Sequence, residues 1–157
     1  MSSPSPYRPP EAPVADQDRP RGSPVRGMLY GALVDIGGTL LAGIVLGILW
    51  GSWLAASGNS AEQIAEAVKN PDPTSLVAIA GYVIGTAFSG LGGYVCARVA
   101  RETELRCAAV VAGISIAFGF AVGGAQTFEM GVLMVVTTVA AVMLGAWLGR
   151  RHNLAHA

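Results

Sequence analysis

Residues 76 to 97 read LVAIAGYVIGTAFSGLGGYVCA, 22 residues without one charged side chain. Three more apolar runs accompany them: Met28 to Ala56, interrupted only by Asp35, then Cys107 to Ala125, then Met130 to Gly149. A helix rises about 1.5 Å per residue, so about 20 apolar residues cross a hydrocarbon core of about 30 Å. The runs do not alternate polar with apolar residues, which excludes barrel strands. The expected fold class is an all-α membrane protein, a bundle of four transmembrane helices at about 28–56, 76–97, 107–125 and 130–149.

Composition agrees. Only 13% of the 157 residues are charged and 52% are hydrophobic, whereas a soluble domain carries about 25% charged residues. So short a chain has a large surface for its volume and too few charges to cover it in water. Formal net charge is zero, with ten basic and ten acidic residues. No basic excess invites nucleic acid.

Residues 1–27 differ from everything after them. Seven of the nine prolines fall in the first 24 positions. Proline removes backbone donors, and the segment has too little apolar surface to offset its ordering entropy. It is expected to be a disordered tail, and no apolar core near its start marks a signal peptide. Two PxxP patterns, at 6–9 and 10–13, have the form of polyproline ligands, and a solvated tail is the plainer reading. Residues 28–152 then form the membrane domain, and residues 153–157 a second tail.

Between the first two runs lies SGNSAEQIAEAVKNPDPTS. Ser60 with Gln63 makes a capping box. Ile64, Ala65 and Val68 share one helical face, and Asn70-Pro71 stops the helix. A short amphipathic helix at the membrane surface is expected between spans 1 and 2.

The charges orient the chain. Arg8, Arg19, Arg21, Arg26, Arg98, Arg101, Arg106, Arg150 and Arg151 fall on one side of a four-span topology, and Lys69 alone on the other. Basic residues mark the cytoplasmic side. The expectation is a multi-pass protein of the cytoplasmic (inner) membrane with both termini cytoplasmic. Each half is a hairpin whose second helix ends in arginines. Duplication of a two-helix unit and similar composition both account for that.

Asp35 stands in LVDIGGTL, at 33–40. The DIGGT string looks like a phosphate-binding loop of sugar kinases, but it lies inside a continuous apolar run with no soluble domain around it. Asp35 is therefore a carboxylate on the first membrane helix. If the span begins at Ile36, it sits at the headgroup boundary, near a helix N-terminus whose dipole favours an anion. If the span begins near Met28, it lies within the inner third of the membrane. At 100° per residue it shares a face with Gly31, Ala32, Gly38, Thr39 and Ala42, opposite Leu33, Leu40, Leu41 and Ile44. Asp35 is expected to point into the bundle. An ionisable residue inside a membrane is a functional-site hypothesis, and a charge near the interface also serves as an anchor or cap. The candidate site is Asp35 with Thr39. No basic residue falls within a span to pair with it. Its candidate partners are Thr39, Thr86, Ser89, Ser115, Thr137, Thr138 and Arg98.

Small residues recur four apart in every span. Those expected to pack helices together are Gly43, Gly47 and Gly51, then Gly81, Gly85, Ser89 and Gly93, then Gly113, then Gly145 and Gly149. Lipid supplies no hydrophobic drive for association, so close van der Waals contact must. Packing within one chain is the first reading of this glycine-zipper pattern. A homo-oligomer or a membrane partner protein would use it equally. Trp50, Trp53 and Trp147 read as interface anchors. Cys96 and Cys107 read as small packing residues. His152, at the end of the expected membrane domain, and His156, in the second tail, are read as mobile and, without further ligands, make a poor metal site. No nucleophile, base and orienting group stand together, so no enzyme and no cofactor are expected.

The strings GALVDIGGTLLAGIVLGILWG (31–51) and GGYVCARVAR (92–101) resemble small four-span membrane proteins of prokaryotes. That resemblance covers residues 28–152 and implies a multi-pass protein of the inner membrane, with no activity to carry over. Small multidrug transporters are similar in having four spans and one acidic residue in the first helix. This chain is longer, carries a proline-rich tail and an extra surface helix, and lacks their aromatic-lined site. Two functions are expected from the residues: a non-enzymatic helix-packing scaffold or small subunit of a membrane complex, and alternatively a small ion- or proton-coupled transporter using Asp35.

Overall fold

The computed structural model describes residues 22–122 and 127–155, and among them it is helical with no strand. The elements are α1 (Pro24–Ala32), a π-helical turn (Leu33–Gly37), α2 (Gly38–Ala56), α3 (Ala61–Lys69), α4 (Leu76–Ala100), α5 (Glu104–Val122) and α6 (Phe128–Ala155). α1, the π turn and α2 form one continuous helix, Pro24–Ala56. This helix, α4, α5 and α6 are each long and apolar enough to cross a membrane. The four long apolar helices read from the sequence runs are present. The large side chains of α2 point outward: Leu41 is 66% exposed and Ile44 59%. An apolar exterior of this kind suits lipid, where those groups need no cover.

Several boundaries differ from expectation. The first helix starts at Pro24 and not Met28, because the Ser23 hydroxyl accepts from the Arg26 N–H and Pro24 occupies a first-turn position that needs no donor. Residues 22–27 are thus no tail. At Gly22 the chain already lies against the Ala100 carbonyl, where a Cβ would collide. α4 continues through Arg98 to Ala100, α5 begins at Glu104, and α6 runs through Arg150 and Arg151 to Ala155. Charged residues do not end a helix; they only mark where it leaves the apolar layer. His152 accordingly sits in α6, its ring edge-on to Tyr94 at 6.5 Å, and not in a tail. The expected tail at 1–21, the end of the third run and turn at 123–126, and His156 lie outside the described residues.

α4 is the hub, packing against α1, the π turn, α2, α5 and α6. Its face toward α1 is built by glycine. A Cβ on Gly27 would come 2.9 Å from the Cys96 carbonyl, one on Gly31 2.8 Å from the Gly92 carbonyl, and one on Gly92 2.7 Å from the Gly31 carbonyl. Gly27, Gly31 and Asp35 thus interlock with Ala100, Cys96 and Gly92, each series four apart. Cys96 and Cys107 are buried, free thiols in this seam. A second seam joins α4 to α6. There Gly93 meets the Val142 carbonyl and Gly145 the Gly90 carbonyl, while a Cβ on Gly149 would lie 2.7 Å from the Tyr94 carbonyl. Asn153 closes the seam by donating to the Ala97 carbonyl at 3.0 Å.

α3 forms as its capping box requires. Ser60 N–H donates to Gln63 Oε1 at 2.8 Å, and Ser60 Oγ accepts from the Gln63 N–H at 3.4 Å. Its Ile64 and Val68 face Gly51 of α2. Glu62 accepts its own backbone N–H and the Ser60 hydroxyl, which hold it below its ordinary 4.5. The Thr74 hydroxyl and N–H likewise lower Asp72 from its ordinary 3.8. Both carboxyls bind protons less readily folded than unfolded. They therefore favour α3 and its following turn above those ordinary values, and that contribution is lost as pH falls through the lowered ones. Acidification below about pH 4 is expected to speed amide hydrogen exchange in 61–75, while α4 and α6 keep their protection.

Candidate functional site

Asp35 lies in the π turn, where the Gly38 N–H reaches back to the carbonyls of Asp35 and Val34. A π turn is an extra residue accommodated within a helix, and such turns gather at functional sites. The carboxylate is 3% exposed. Gly92 makes room for it: a Cβ there would come 2.8 Å from the Asp35 Cβ. Ser89 Oγ of α4 donates to Oδ1 at 2.8 Å, and Ser115 Oγ of α5 donates to Oδ2 at 2.5 Å. Each oxygen has one hydroxyl donor, each from a different helix.

The level of this cluster follows from residue counting. Asp35 is nine residues from Arg26, Ser89 nine from Arg98, and Ser115 nine from Arg106. At 1.5 Å per residue all three stand about 13 Å from the arginine level. In a core of about 30 Å that is close to the middle.

Above the cluster the bundle opens. α1 packs on both α4 and α5, whereas α2 packs on α4 and α3 and no Cα of it comes within 8 Å of one in α5 or α6. The gap is a cleft of about 580 Å³ that runs from Asp35 to Val68 and Pro71. Thr39, Tyr82, Thr86, Ser89, Ser115 and Thr138 give it hydroxyls. Ile36, Leu40, Leu46, Phe118, Val122 and Met134 make most of its wall apolar. Among the described residues Asp35 is the one carboxylate in the lining, and the lining holds no Lys, Arg or His. Tyr82 also bonds Thr137 at 2.5 Å, tying α4 to α6 along the cleft. The indole nitrogen of Trp50, beside the cleft, is buried without an acceptor.

Of the candidate partners of Asp35, Ser89 and Ser115 make the contact. Thr39 lines the cleft and packs its methyl over Gly85, with 3.6 Å to a Cβ there. Thr86 and Thr137 donate instead to the carbonyls of Tyr82 and Leu133. Among the packing glycines, Gly93, Gly145 and Gly149 sit in close seams. Gly47, Gly51, Gly81 and Gly85 have ordinary contacts of 3.6–3.9 Å. Gly43 and Gly113 have nothing within 4 Å of a Cβ, which corrects their expected packing role. Gly43 faces the cleft because α2 leans away from α5. Gly31, expected on the inward face with Asp35, makes the α1–α4 seam together with Gly27 and Gly92, which were not among the expected packing residues; the four-residue spacing of Gly27, Gly31 and Asp35 was the signal available for it.

Comparison with known proteins finds no matching family model, no matching curated protein and no matching solved structure. Function is therefore read from the geometry alone.

Removing one hydroxyl tests the cluster. Ser115→Ala leaves Oδ2 of a buried carboxylate without its donor, and the expected cost is about 1–3 kcal/mol of stability in a detergent unfolding assay. In the Asp35→Asn background the same change is expected to cost measurably less, as a double-mutant cycle would show.

Proposed function

We infer that the chain is a small carrier of the cytoplasmic membrane that exchanges a proton for a cation at Asp35. One observation carries this reading: a 97% buried carboxylate, without a basic partner in the lining, ends an open cleft near the middle of the helices. A bare charge at that depth is costly, so its charge must be balanced. A proton or a cation can do so, and both compete for the same two oxygens. Two serine hydroxyls suit the exchange. They donate to the carboxylate, and each can turn to accept when the carboxyl carries a proton. Competition for one carboxylate couples the two movements without a second ionisable group.

The charge bias supports the orientation. Arg26, Arg98, Arg101, Arg106, Arg150 and Arg151 lie at the helix ends on the side of both termini, which makes that side cytoplasmic and the α3 side external. The cleft then opens toward the outside and sideways into the bilayer.

A helix-packing subunit is the second reading, favoured by the close α1–α4 and α4–α6 seams. Proteoliposomes decide between them. Imposed gradients of sodium, potassium and organic cations are tested for their power to move protons across the vesicle wall. Proton movement driven by any of them supports exchange. Its absence for all of them, with folded protein, gives the chain to the packing reading.

A further inference from the structure

The exchange reading leaves open which cation. We propose that the cleft takes an amphipathic organic amine, with an N–H-bearing ammonium at Asp35 and an elongated apolar body along α2, entering sideways from the bilayer.

Four observations point to that chemistry. Among the described residues Asp35 is the sole carboxylate of the lining, with no Lys, Arg or His beside it, so a ligand that stays in the cleft with its charge balanced is a monovalent cation. The wall is mostly aliphatic and aromatic, with Leu40, Leu46, Phe118 and Val122 facing the space. A hydrated inorganic ion would leave those surfaces wet, whereas an apolar body covers them. The cleft is also long. From Asp35 to Trp50 is 15 residues of helix, about 22 Å. Finally, no Cα of α2 comes within 8 Å of one in α5 or α6, so the cleft has an open long side that in a bilayer would face hydrocarbon. A ligand already dissolved in the bilayer reaches Asp35 without crossing water. Lipid tails are as apolar as its body, so selection rests on the head.

The head is narrowed further by the two serines. Each carboxylate oxygen accepts one hydroxyl and has capacity for another donor. An ammonium bearing N–H fills that capacity with charge-assisted hydrogen bonds. A fully methylated nitrogen cannot donate. The balance is Asp35–COOH plus R–NH₃⁺ giving the Asp35 carboxylate–ammonium pair and a free proton.

Gly43 offers the discriminating variant. It lines the cleft, and a Cβ there meets nothing within 4 Å. Gly43→Phe therefore starts a ring into the cleft from a position where the Cβ itself meets no neighbour. The full chain carrying Trp53→Phe and Trp147→Phe, so that only Trp50 emits, is reconstituted in phosphatidylcholine vesicles. Trp50 fluorescence is titrated with a brominated long-chain primary alkylamine, its trimethylammonium analogue and the alcohol of equal length. The expected result is saturable quenching by the amine alone, accompanied by proton release, and lost in Gly43→Phe and Asp35→Asn. Thermal melting of Gly43→Phe shows that its fold is kept. Equal quenching by the alcohol would overturn the proposal and make the cleft an unselective seat for any lipid tail. Equal quenching by the trimethylammonium compound would overturn the N–H requirement. Sodium- or potassium-driven proton movement without amine binding would sink this inference and leave the exchange reading standing. Loss of both would sink the two together.

Discussion

Asp35→Asn is expected to abolish the proposed cation-driven proton movement while the protein remains folded. Asparagine keeps the size of the side chain and one oxygen that accepts from Ser89 or Ser115, so the cluster loses at most one acceptor. It cannot bind or release a proton, and it offers a cation no charge. Coupling is then expected to be lost completely and not merely weakened, because among the described residues no other carboxylate and no Lys, Arg or His lines the cleft to substitute. Flux in proteoliposomes measures the loss, and the thermal melt measures the fold. Asp35→Glu gives the intermediate result. It restores the charge but must fit one more methylene against Gly92, whose Cβ position already lies 2.8 Å from the Asp35 Cβ. Slower exchange is expected, with coupling retained. Wild-type flux in Asp35→Asn would remove Asp35 from the mechanism.

The largest loss of stability is expected at Gly145. A Cβ there runs into the Gly90 carbonyl, and one at Gly93 into the Val142 carbonyl. Both obstacles are backbone, which cannot rotate aside as a side chain can. α4 and α6 must separate along the seam where the bundle is most tightly joined. Overpacking usually costs about 1–3 kcal/mol, and a clash with main chain belongs at or above the upper end. Gly145→Ala and Gly93→Ala are each expected to lower stability by about 3 kcal/mol. Gly43→Ala and Gly113→Ala run the other way. They meet nothing within 4 Å, so alanine only improves helix propensity, by up to about 1 kcal/mol. Unfolding of the four variants in mixed micelles measures all of them on one scale. Equal effects at Gly43 and Gly145 would mean that the α4–α6 seam is not what holds the bundle.

The same contrast separates what was legible in the sequence from what was not. Helix existence is a local property. Four apolar runs demand backbone bonds made within each run, and Ser60 with Gln63 caps α3 with groups three residues apart. The face of Asp35 was also legible, because helix period alone puts it with small residues and turns Leu33, Leu41 and Ile44 outward. Partnership is different. Gly43 and Gly145 follow the same spacing, yet only Gly145 has a neighbour, since spacing says which face is smooth and not what lies against it. Nor does spacing single out Ser89 and Ser115 among the hydroxyls. They are chosen because α4 and α5 cross the first helix at one level. The α1–α4 seam escaped because a proline-rich composition made Gly27 look like tail, whereas Ser23 and Pro24 start a helix there. The cleft was the least legible feature. It exists because α2 packs on α4 and α3 and not on α5 or α6, and a missing contact leaves no trace in a residue pattern. Sequence by itself determined the helices, their apolar exterior and one inward carboxylate. Tertiary structure decided the partners of that carboxylate and the space in front of it, because both depend on how separate helices cross.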